Sequence, residues 1–476
     1  MKTIFFAVHQ QFTTRYMLQT GIFPKLKQLG HRIVIITPNS SDRGFIEDFG
    51  DDNVFFETFE YEKIYPIRNT RLYQYFVKTR RFTLPSHLDL STLKLKERFL
   101  FEKIEGKSLV KKIFQLLPLW TSYILRRSKV LRQLFKYIEH KVIPGGFHNE
   151  LFEKYRPDAI VINDLGTIDI SNFIMREAKS YKVPIISIIL SWDNLTAKGM
   201  GAVTPDYAIA WNKNMGYELK VYHDIDPEKI YVGGIAHFDP YFRSEFPSDC
   251  QKTLSARKNH TGTKKIFFGT SSPSWFKENL NIIRLLVEAN RAGKFSEPVS
   301  LIVRLHPAYL FRQKESTIDE LNEIKRYCDE NKDSVILNLP ELKTRNYGFE
   351  FTQYDQSLMK AFLQDCDILV TQFSTLMLEA AILNKPVVNI GFDHGRKLKE
   401  RTSDMAMSET HLIRVLKTGF AKTAKSEDEF ISMINRYLKR PALDADPRER
   451  IREEECGVNK GISSVSIAGY IDSILS

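Results

Sequence analysis

The sequence predicts an α/β protein with two doubly wound domains, and two observations support this prediction. Short runs of Val, Ile, Leu and Phe, bounded by Gly, Pro, Asn or Asp, alternate with stretches of helical apolar periodicity. This alternation is typical of parallel sheets whose strands are joined by crossover helices. At 476 residues the chain is also long enough for two domains that each bury a core. We expect the two sheets to face each other across a cleft.

The first domain is predicted to span residues 1–247. It opens with a strand, a polar loop and a helix over Tyr16–Leu29 that closes at Gly30, which is typical of a doubly wound unit. Apolar runs bounded by turn residues predict its strands. These predicted strands are Thr3–Val8, Arg32–Thr37, Val54–Phe59, Pro157–Ile162, Pro184–Leu190, Asp206–Trp211 and Lys229–Val232.

Polar residues follow several of these strands, and ligands of doubly wound domains bind beyond the carboxyl ends of the strands. Asp164 follows one buried strand and Asp193 the next, so either could act as a general base towards an acceptor hydroxyl. Either could instead form an Asx turn. His9, after the first strand, is a further catalytic candidate or a hydrogen-bonded structural residue. We assign three other residues of these loops to the acceptor side: Arg15, Trp192 and Asn194.

One segment carries the positive charge of the chain. Residues 68–141 contain 18 Lys/Arg against 5 Asp/Glu, whereas the whole chain has a net charge of +11. The segment lies in an insertion at about 64–146, where amphipathic helices such as Lys129–Lys141 could lie on an anionic membrane surface. Their apolar faces could instead pack on the domain, with the charges solvated. The rest of the chain is nearly balanced, so we expect no nucleic-acid partner.

A polar stretch at 248–263 is the predicted linker, and the second domain is expected at 264–445, followed by a C-terminal segment at 446–476. Apolar runs again predict strands, and helical periodicity predicts helices at Glu427–Leu438 and Ser463–Leu475. The predicted strands of this domain are Lys265–Phe268, Val299–Leu305, Ser334–Leu337, Ile368–Thr371 and Val387–Ile390.

A polar turn before the predicted helix Leu376–Leu383 carries Ser374 and Thr375. The free N–H groups at a helix start can bind phosphate, although one of these hydroxyls could simply be an N-cap. Glu379 lies four residues after Thr375, one more than a capping box requires. Its carboxylate would suit a ribose diol beside the phosphate, or it could complement the helix dipole at an exposed position.

Two other turns of the second domain suit phosphate. Gly269 precedes Thr270 and Ser271, and small residues allow backbone N–H groups to approach an anion. Arg304 ends a buried strand shortly before His306, which precedes a proline and can donate a hydrogen bond to a phosphate oxygen. We therefore predict donor-phosphate contacts at both turns.

The stretch FSTLMLEAA at Phe373–Ala381, followed by KPVV at Lys385–Val388, resembles the donor-binding segment of GT-B glycosyltransferases. The resemblance implies that the turn from Phe373 to Thr375 holds the nucleotide phosphates, that Glu379 holds the ribose, and that the last helix packs back on the first domain. The His306-Pro307 pair resembles the motif that contacts the donor phosphate in CDP-glycerol phosphotransferases and in sialyl- and Kdo-transferases of GT-B type.

Asn163-Asp164-Leu165-Gly166 partly resembles the acidic-acidic-Gly motif that carries the base in bacterial sialyltransferases of GT-B type. Asn replaces the first acid and Leu165 is interposed before the glycine. These departures keep Asp193 as a rival to Asp164.

These observations predict a metal-independent glycosyltransferase that moves a sugar from a nucleotide-activated donor to a cell-surface glycan or glycolipid. The alternatives are a CDP-polyol phosphotransferase, an epimerase of nucleotide sugars with the same fold, and a binding protein without catalysis. No cofactor is expected besides the nucleotide-sugar co-substrate, and no metal site, because Asp444-Ala445-Asp446 falls in a predicted loop.

Location is the last expectation. The chain has no run of 18 apolar residues and its four cysteines are scattered, with no disulfide or zinc spacing. We expect a cytoplasmic protein that can associate with the inner face of the cell membrane.

Overall fold

The computed structural model divides the chain into two compact units. Unit 1 comprises Met1–Asp239, Thr344–Glu350 and Gly457–Ser476, and unit 2 comprises Pro240–Lys343 and Phe351–Cys456. The structure describes residues 1–476 except 10, 86, 87, 89, 168, 169, 244–249, 251–262, 277, 312–314 and 394–401. Most of the predicted linker at 248–263 therefore lies outside the described residues, and the chain enters unit 2 at Pro240, ahead of that linker.

Unit 1 is built on a seven-stranded sheet in the order β3-β2-β1-β4-β5-β6-β7. All neighbouring strands are parallel. The central strands are buried along almost their whole length because Val, Ile and Phe pack against helices on both faces. The strands are β1 Thr3–Ala7, β2 Arg32–Thr37, β3 Val54–Thr58, β4 Ala159–Ile162, β5 Ile185–Ile188, β6 Tyr207–Ala210 and β7 Ile230–Val232.

The helices of unit 1 include a group between β3 and β4 that corresponds to the predicted insertion. Side chains cap several of them; Ser128, for example, accepts a hydrogen bond from the Leu131 N–H at 3.3 Å. The helices are Ile22–Gln28, Arg43–Phe49, Tyr61–Arg68, Arg71–Phe82, Ser91–Ile104, Leu109–Arg126, Lys129–Val142, Asn149–Tyr155, Ser171–Ser180, Asn194–Ala197, Lys213–His223 and Ser463–Leu475.

The helix predicted over Tyr16–Leu29 is interrupted. A π-helical turn covers Thr14–Leu18, and the regular helix begins only at Ile22. Thr20 explains the break, because its hydroxyl donates to the Tyr16 carbonyl and accepts from the Ile22 N–H, which replaces continuous helical bonding by a local turn.

The last helix, Ser463–Leu475, belongs to unit 1, where it packs on the helix Ile22–Gln28. Asp239 caps it, since its carboxylate accepts from the N–H groups of Ser463 and Ser464 at 2.9 and 2.8 Å. The end of the chain therefore contributes to the core of the domain that the start of the chain builds.

Unit 2 is built on a six-stranded parallel sheet in the order β10-β9-β8-β13-β14-β15. The strands of this sheet are β8 Lys264–Gly269, β9 Val299–Arg304, β10 Val335–Asn338, β13 Ile368–Thr371, β14 Val387–Ile390 and β15 Ala421–Ala424. A separate pair, β11 Leu342–Arg345 and β12 Gly348–Phe351, forms a hairpin that the sequence did not predict, and most of this hairpin, Thr344–Glu350, belongs to unit 1.

The helices of unit 2 cover both faces of this sheet. One of them, Ala445–Cys456, begins inside Asp444-Ala445-Asp446, which the sequence analysis had predicted to lie in a loop. The helices are Asn279–Arg291, Glu315–Glu330, Gln353–Asp365, Leu376–Ile382, Ser403–Met407, Thr410–Leu416, Glu427–Lys439 and Ala445–Cys456.

The two main sheets share a strand order. Counted from the first strand of each, both contain the arrangement 3-2-1-4-5-6, so the direction of winding reverses between the first and fourth strands. This switch point lies between β1 and β4 in unit 1 and between β8 and β13 in unit 2. Ligands of doubly wound sheets bind beyond the strand ends at this position.

Candidate functional site

The loops that follow β8 and β9 in unit 2 are tied together by Thr270. Its N–H donates to the Arg304 carbonyl at 3.0 Å, and its hydroxyl accepts from the His306 N–H at 2.9 Å. Thr270 is itself buried. Its role is therefore to fix His306, which follows β9, to the loop after β8 at the switch point.

The next residue, Ser271, connects this loop to the turn after β13. Its hydroxyl donates to the Gln372 carbonyl at 3.3 Å, and its N–H donates to the Asn279 side chain at 3.2 Å. Asn279 is fully buried and donates to the carbonyls of Ser271 and Phe276 and to the Tyr309 hydroxyl. Asn279 thus fixes the loop after β8, a role that the sequence analysis missed.

His306 is held as a neutral imidazole. Its Nδ1 accepts a hydrogen bond from the Ala308 N–H at 3.1 Å, which requires Nδ1 to be unprotonated and leaves the ring proton on Nε2. Burial lowers its pKa from 6.5 to about 4. The side chain can therefore offer Nε2–H to an anion as a neutral donor.

The Arg304 guanidinium is buried and bonded to neighbouring residues of unit 2. Its guanidinium forms an ion pair with Asp355 at 2.5 Å and also donates to Asn338 and to the Leu339 carbonyl. Both partners of the ion pair are buried. These contacts join β9 to β10 and to the helix Gln353–Asp365, so Arg304 acts on the site through the strand end that carries His306.

The turn after β13 has an unusual backbone. Phe373 adopts a left-handed conformation, with φ of +49°, and its N–H donates to the Asn389 side chain at 3.2 Å. A non-glycine residue in this region is strained, and such strain is concentrated at functional sites. Phe373 and the following Ser374 are only partly buried.

The helix after this turn is short, with seven residues from Leu376 to Ile382. Ser374 accepts from the Leu376 N–H at 3.3 Å, so its hydroxyl takes the capping role that the sequence left open. Thr375 makes no side-chain capping bond. A serine that accepts through its oxygen still has its O–H to donate.

Glu379 lies on the buried face of the same helix. Its carboxylate accepts a hydrogen bond from the hydroxyl of Tyr241, and both side chains are buried. The helix Ala445–Cys456 packs against the helix that carries Glu379. The partner Tyr241 was not identified from the sequence, because it lies 138 residues away and in no motif.

His9 and Asp164 meet at the switch point of unit 1. The His9 Nε2 and the Asp164 Oδ2 are 3.9 Å apart, and both side chains are inaccessible to solvent. This separation is an ion-pair distance and is too long for a hydrogen bond. Burial lowers the pKa of His9 to about 4, although the Ala7 carbonyl partly offsets that effect.

The other Asp164 oxygen organises its own loop. Asp164 Oδ1 accepts from the Thr167 N–H and from the Ser171 hydroxyl, both at 3.0 Å. The bond to the Thr167 N–H spans three residues, one more than in the Asx turn that we considered as an alternative. The second carboxylate oxygen faces His9. Thr13 donates to Asn163 at 3.2 Å and joins the loops after β1 and β4.

The remaining candidates of unit 1 lie in two places. Asp193, after β5, forms an ion pair with Lys198 at 3.3 Å and has a partly exposed side chain. Trp192 and Asn194 beside it are buried. Arg15 lies in the π-helical turn after β1, near the buried His237.

His237 is a further residue that the sequence analysis missed. Burial, and secondarily the Arg15 charge, lower the pKa of His237 well below its ordinary value. Its ring packs edge-on against Tyr16 at 4.1 Å and lies 5.6 Å from the ring of Trp211. The only local signal was its position shortly after the Gly233-Gly234 pair.

The Asp-x-Asp letters at 444–446 do not form an isolated acidic pair. Asp444 forms an ion pair with Lys422 at 3.1 Å and accepts from the Tyr437 hydroxyl at 2.9 Å. Asp446 lies in the first turn of the helix Ala445–Cys456.

Comparison with known proteins identifies a family and a fold. The profile of the CDP-glycerol:poly(glycerophosphate) glycerophosphotransferase family matches residues 201–473. This match confirms the resemblance that the donor motifs indicated. No curated protein matches the chain.

Solved structures resemble the chain over nearly its whole length. MnaA of S. aureus with UDP aligns over 100% of this chain and 97% of its own, with a TM-score of 0.52 and 12% identity. UDP-GlcNAc 2-epimerase of Methanocaldococcus jannaschii aligns over 99% of both chains, with a TM-score of 0.52 and 13% identity. A glycosyltransferase of Rickettsia africae covers 100% and 99%, with a TM-score of 0.50 and 11% identity. At these identities the likeness establishes the fold, which confirms the predicted GT-B class.

Proposed function

The chain belongs to the CDP-glycerol:poly(glycerophosphate) glycerophosphotransferase family, and on that premise we propose that it transfers a polyol phosphate from a CDP-linked donor to an acceptor hydroxyl. The acceptor oxygen bonds to the phosphorus that carries the polyol, the bond between the two phosphates breaks, and CMP leaves with the electron pair. The hydroxyl proton passes to a base of the protein. The family match carries this proposal, because it extends over the donor motifs of unit 2.

The donor diphosphate is assigned to the switch point of unit 2. The Nε2–H of His306, the hydroxyls of Ser374 and Thr375, and the N–H groups of the Phe373 turn are the donors that would meet phosphate oxygens. Ser271 holds the loop after β8 against the turn after β13, because its hydroxyl donates to the Gln372 carbonyl. Thr270 and Arg304 act as positioning residues, since their contacts fix the strand end before His306.

Glu379 is assigned to the ribose. Its contact with Tyr241 orients the carboxylate, and a carboxylate is the group that suits the ribose hydroxyls beside a bound phosphate. Neutral donors and the backbone then meet the charge that develops on CMP, and we assign no metal ion to this step. Chelation with EDTA should accordingly leave the initial rate unchanged, and a rate that falls on chelation and returns with added Mg²⁺ would contradict the assignment.

Asp164 is assigned as the base. Its Oδ1 is held by Thr167 and Ser171, so the orientation of the carboxylate is fixed before substrate binds. The other oxygen, Oδ2, lies 3.9 Å from the His9 ring. Because the lowered pKa keeps His9 neutral, the ring is a polar neighbour of the carboxylate and forms no ion pair with it. Asp193 remains the alternative base, because its carboxylate is more accessible than that of Asp164. It already forms an ion pair with Lys198, however, which counts against it.

The acceptor is proposed to be a cell-surface glycan or a lipid-linked chain, reached from the cytoplasmic face of the membrane. Arg15, Trp192 and Asn194 remain the proposed acceptor-side residues. No helix within the described ranges is long and apolar enough to cross a bilayer. Association would therefore be peripheral in the proposed arrangement, supported by the basic segment at 68–141.

Sugar transfer from a nucleotide sugar, our first prediction from sequence, is the second candidate, because the donor unit would serve it equally and the GT-B fold includes a glycosyltransferase. Thermal melting with CMP, CDP, CDP-glycerol, UDP, GDP and ADP separates the candidates. A ligand at about 100 times its Kd adds roughly 2.7 kcal/mol of stability, which is readily measured.

Stabilisation by the cytidine ligands, with CMP release once a poly(glycerol phosphate) acceptor is added, is the expected result. Stabilisation by UDP or GDP alone would contradict the phosphotransferase proposal and favour sugar transfer or epimerisation. Donor binding without release of any nucleotide would favour a binding protein.

A further inference from the structure

A buried arginine of the insertion, Arg80, contacts both segments of unit 1 that carry a candidate base. It lies in the last turn of the helix Arg71–Phe82 and is only 2% exposed. Arginine is almost never buried to this degree unless its charge is paired. For this residue the basic segment packs on the domain, which was one of the two expectations from sequence, and its partners indicate what the burial achieves.

Arg80 holds these two segments with different atoms. Its Nη1 donates to the Gly166 carbonyl at 3.4 Å, in the loop after β4 and two residues beyond Asp164. Its own carbonyl accepts from the Met200 N–H at 3.1 Å, in the segment between β5 and β6 that also carries Asp193. One residue of the insertion therefore anchors the backbone next to both candidate carboxylates.

The two segments also pack closely against each other. A Cβ atom on Gly201 would lie 1.7 Å from the Leu165 carbonyl oxygen, so only glycine permits this approach. The Gly166 carbonyl accepts a second hydrogen bond, from the Ala202 N–H at 3.4 Å. The backbone of the loop after β4 is therefore positioned by what the Gly166 carbonyl meets, and the Arg80 guanidinium is the charged group among its partners.

Glu139 supplies the paired charge. Its Oε2 lies 3.1 Å from the Arg80 Nε, and the Arg80 and Glu139 side chains are 2% and 1% exposed. Glu139 lies on another helix of the insertion, Lys129–Val142. A buried ion pair adds little net stability, because the loss of hydration offsets most of the attraction. What this pair does provide is a fixed direction for the guanidinium that meets the Gly166 carbonyl.

We propose that Arg80, oriented by Glu139, is a positioning residue that sets the loop after β4 so that the Asp164 carboxylate meets the acceptor hydroxyl. The guanidinium fixes the Gly166 carbonyl, and the N–H of the next residue, Thr167, donates to Asp164 Oδ1 at 3.0 Å. The inference rests on the proposed role of Asp164 as the base. It gives the insertion between β3 and β4 a part in the reaction itself.

The test removes the ion pair without leaving a buried charge unpaired. In the double variant Arg80→Met/Glu139→Leu both partners become apolar residues of similar size, a change that is often neutral or stabilising. We therefore expect an unchanged or higher melting temperature. The bond from the Met200 N–H goes to the backbone and remains, so the contact that is lost is the one between the guanidinium and the loop after β4.

Two further variants make the result specific. The control, Arg132→Met/Asp224→Asn, removes a second ion pair, with a distance of 2.7 Å, from the same helix Lys129–Val142. The other bonds of Arg132 go to backbone carbonyls of the insertion itself. Asparagine tolerates the left-handed φ of +60° at position 224. The conservative variant, Arg80→Lys, keeps the positive charge beside Glu139 but replaces the planar guanidinium by a single ammonium group.

We expect kcat for CMP release to fall about 10- to 100-fold in the double variant, because a small misplacement of a catalytic group can cost about 10²-fold in rate. Calorimetric titration should show an unchanged Kd for CDP-glycerol, since the donor motifs lie in unit 2. Hydrogen exchange at the Thr167 amide, followed by mass spectrometry of short peptides, should become faster. The control should match the unchanged protein in all three measurements, and Arg80→Lys should recover part of kcat.

An unchanged kcat in the double variant, or an unchanged exchange rate at Thr167, would overturn the proposal. Equal losses of kcat in the double variant and the control would also overturn it, because they would assign both pairs to the stability of the insertion. If the double variant does not fold, a kcat of Arg80→Lys equal to that of the unchanged protein would overturn it instead. Failure of the unchanged protein to release CMP would contradict the proposed function, and the exchange rates would then still decide whether Arg80 fixes the loop.

Discussion

Units 1 and 2 carry different side chains at the same topological position. In both sheets the direction of winding reverses between the first and fourth strands. In unit 2 that position has hydroxyls and backbone N–H groups, several of them partly exposed, and the neutral His306 lies beside it at the end of β9. In unit 1 it has His9 and Asp164, whose side chains are inaccessible to solvent. The sheet determines where a ligand can bind, whereas the loop residues determine which chemistry occurs there.

The difference is consistent with the two roles that we propose, phosphate binding in unit 2 and proton abstraction in unit 1. A phosphate group is bound by several donors without the need for a full positive charge, because N–H and O–H groups in a fixed turn are already oriented. A base needs a carboxylate that is poorly solvated and held in one orientation. Asp164 meets the second condition through Thr167 and Ser171, and its burial meets the first.

The largest effect is expected from Asp164→Asn. An asparagine can keep the bonds from Thr167 and Ser171 through its carbonyl oxygen but cannot take a proton from the acceptor. We expect kcat to fall by about 10²- to 10⁴-fold, the usual contribution of a general base. Initial rates of CMP release measure this change, and calorimetric titration with CDP-glycerol should show an unchanged donor Kd.

Asp193→Asn is the matched control for this prediction, because it changes the rival carboxylate on the adjacent strand end. We expect at most a small loss of rate, since Asp193 is engaged by Lys198. The reverse pattern would be a large loss with Asp193→Asn and a small one with Asp164→Asn. It would assign the base to the loop after β5 and contradict a catalytic role for the switch point of unit 1.

Much of this comparison could be predicted from the sequence, because buried parallel strands have a strong local signal. The strands Ile368–Thr371 and Val387–Ile390 were predicted with the bounds that the structure shows. The proximity of His9 and Asp164 also followed from the sequence in principle, since both come directly after buried strands that a doubly wound sheet places side by side.

The residues that escaped prediction lack a local signal. Helix Ala445–Cys456 is so rich in charged residues that its apolar face reduces to Ile451 and Cys456, and its buried Arg448 is satisfied by Asn384 and two backbone carbonyls. Tyr241 contacts Glu379 only through tertiary packing. No periodicity reports a contact of this kind.

The next largest effect is expected from His306→Ala. Loss of one hydrogen bond to a charged phosphate costs roughly 1.5–3 kcal/mol, which corresponds to about a 10- to 150-fold weaker donor Kd. Calorimetric titration with CDP-glycerol measures it. The variant His306→Gln, which keeps an N–H donor, should recover part of the affinity. An unchanged Kd in both variants would remove His306 from the donor site.

A smaller effect is expected from Tyr241→Phe. The variant removes the hydroxyl that orients Glu379 and leaves the ring in place. Because Tyr241 acts on the donor only through Glu379, we expect a loss of about 0.5–1.5 kcal/mol, which should appear as a roughly two- to twelvefold higher KM for the donor. A donor whose ribose lacks the hydroxyls should bind both proteins alike, because Tyr241 acts through the ribose contact. A loss that persists with that donor would show that the tyrosine only stabilises the fold.

The smallest effect, and the sharpest test of the contrast between the two switch points, concerns pH. His306 has a pKa of about 4, so the ring stays neutral from about pH 7.5 to 5.5 and donor affinity should change less than about twofold over that range. CDP-glycerol suits the measurement, because its diphosphate has no protonation step there. A histidine that bound phosphate as a cation would instead strengthen binding as the pH fell, by up to about tenfold per pH unit. A rise of that size, abolished by His306→Gln, would mean that His306 takes up a proton from solvent when the anion binds. Unit 2 would then use a full positive charge where we assign neutral donors.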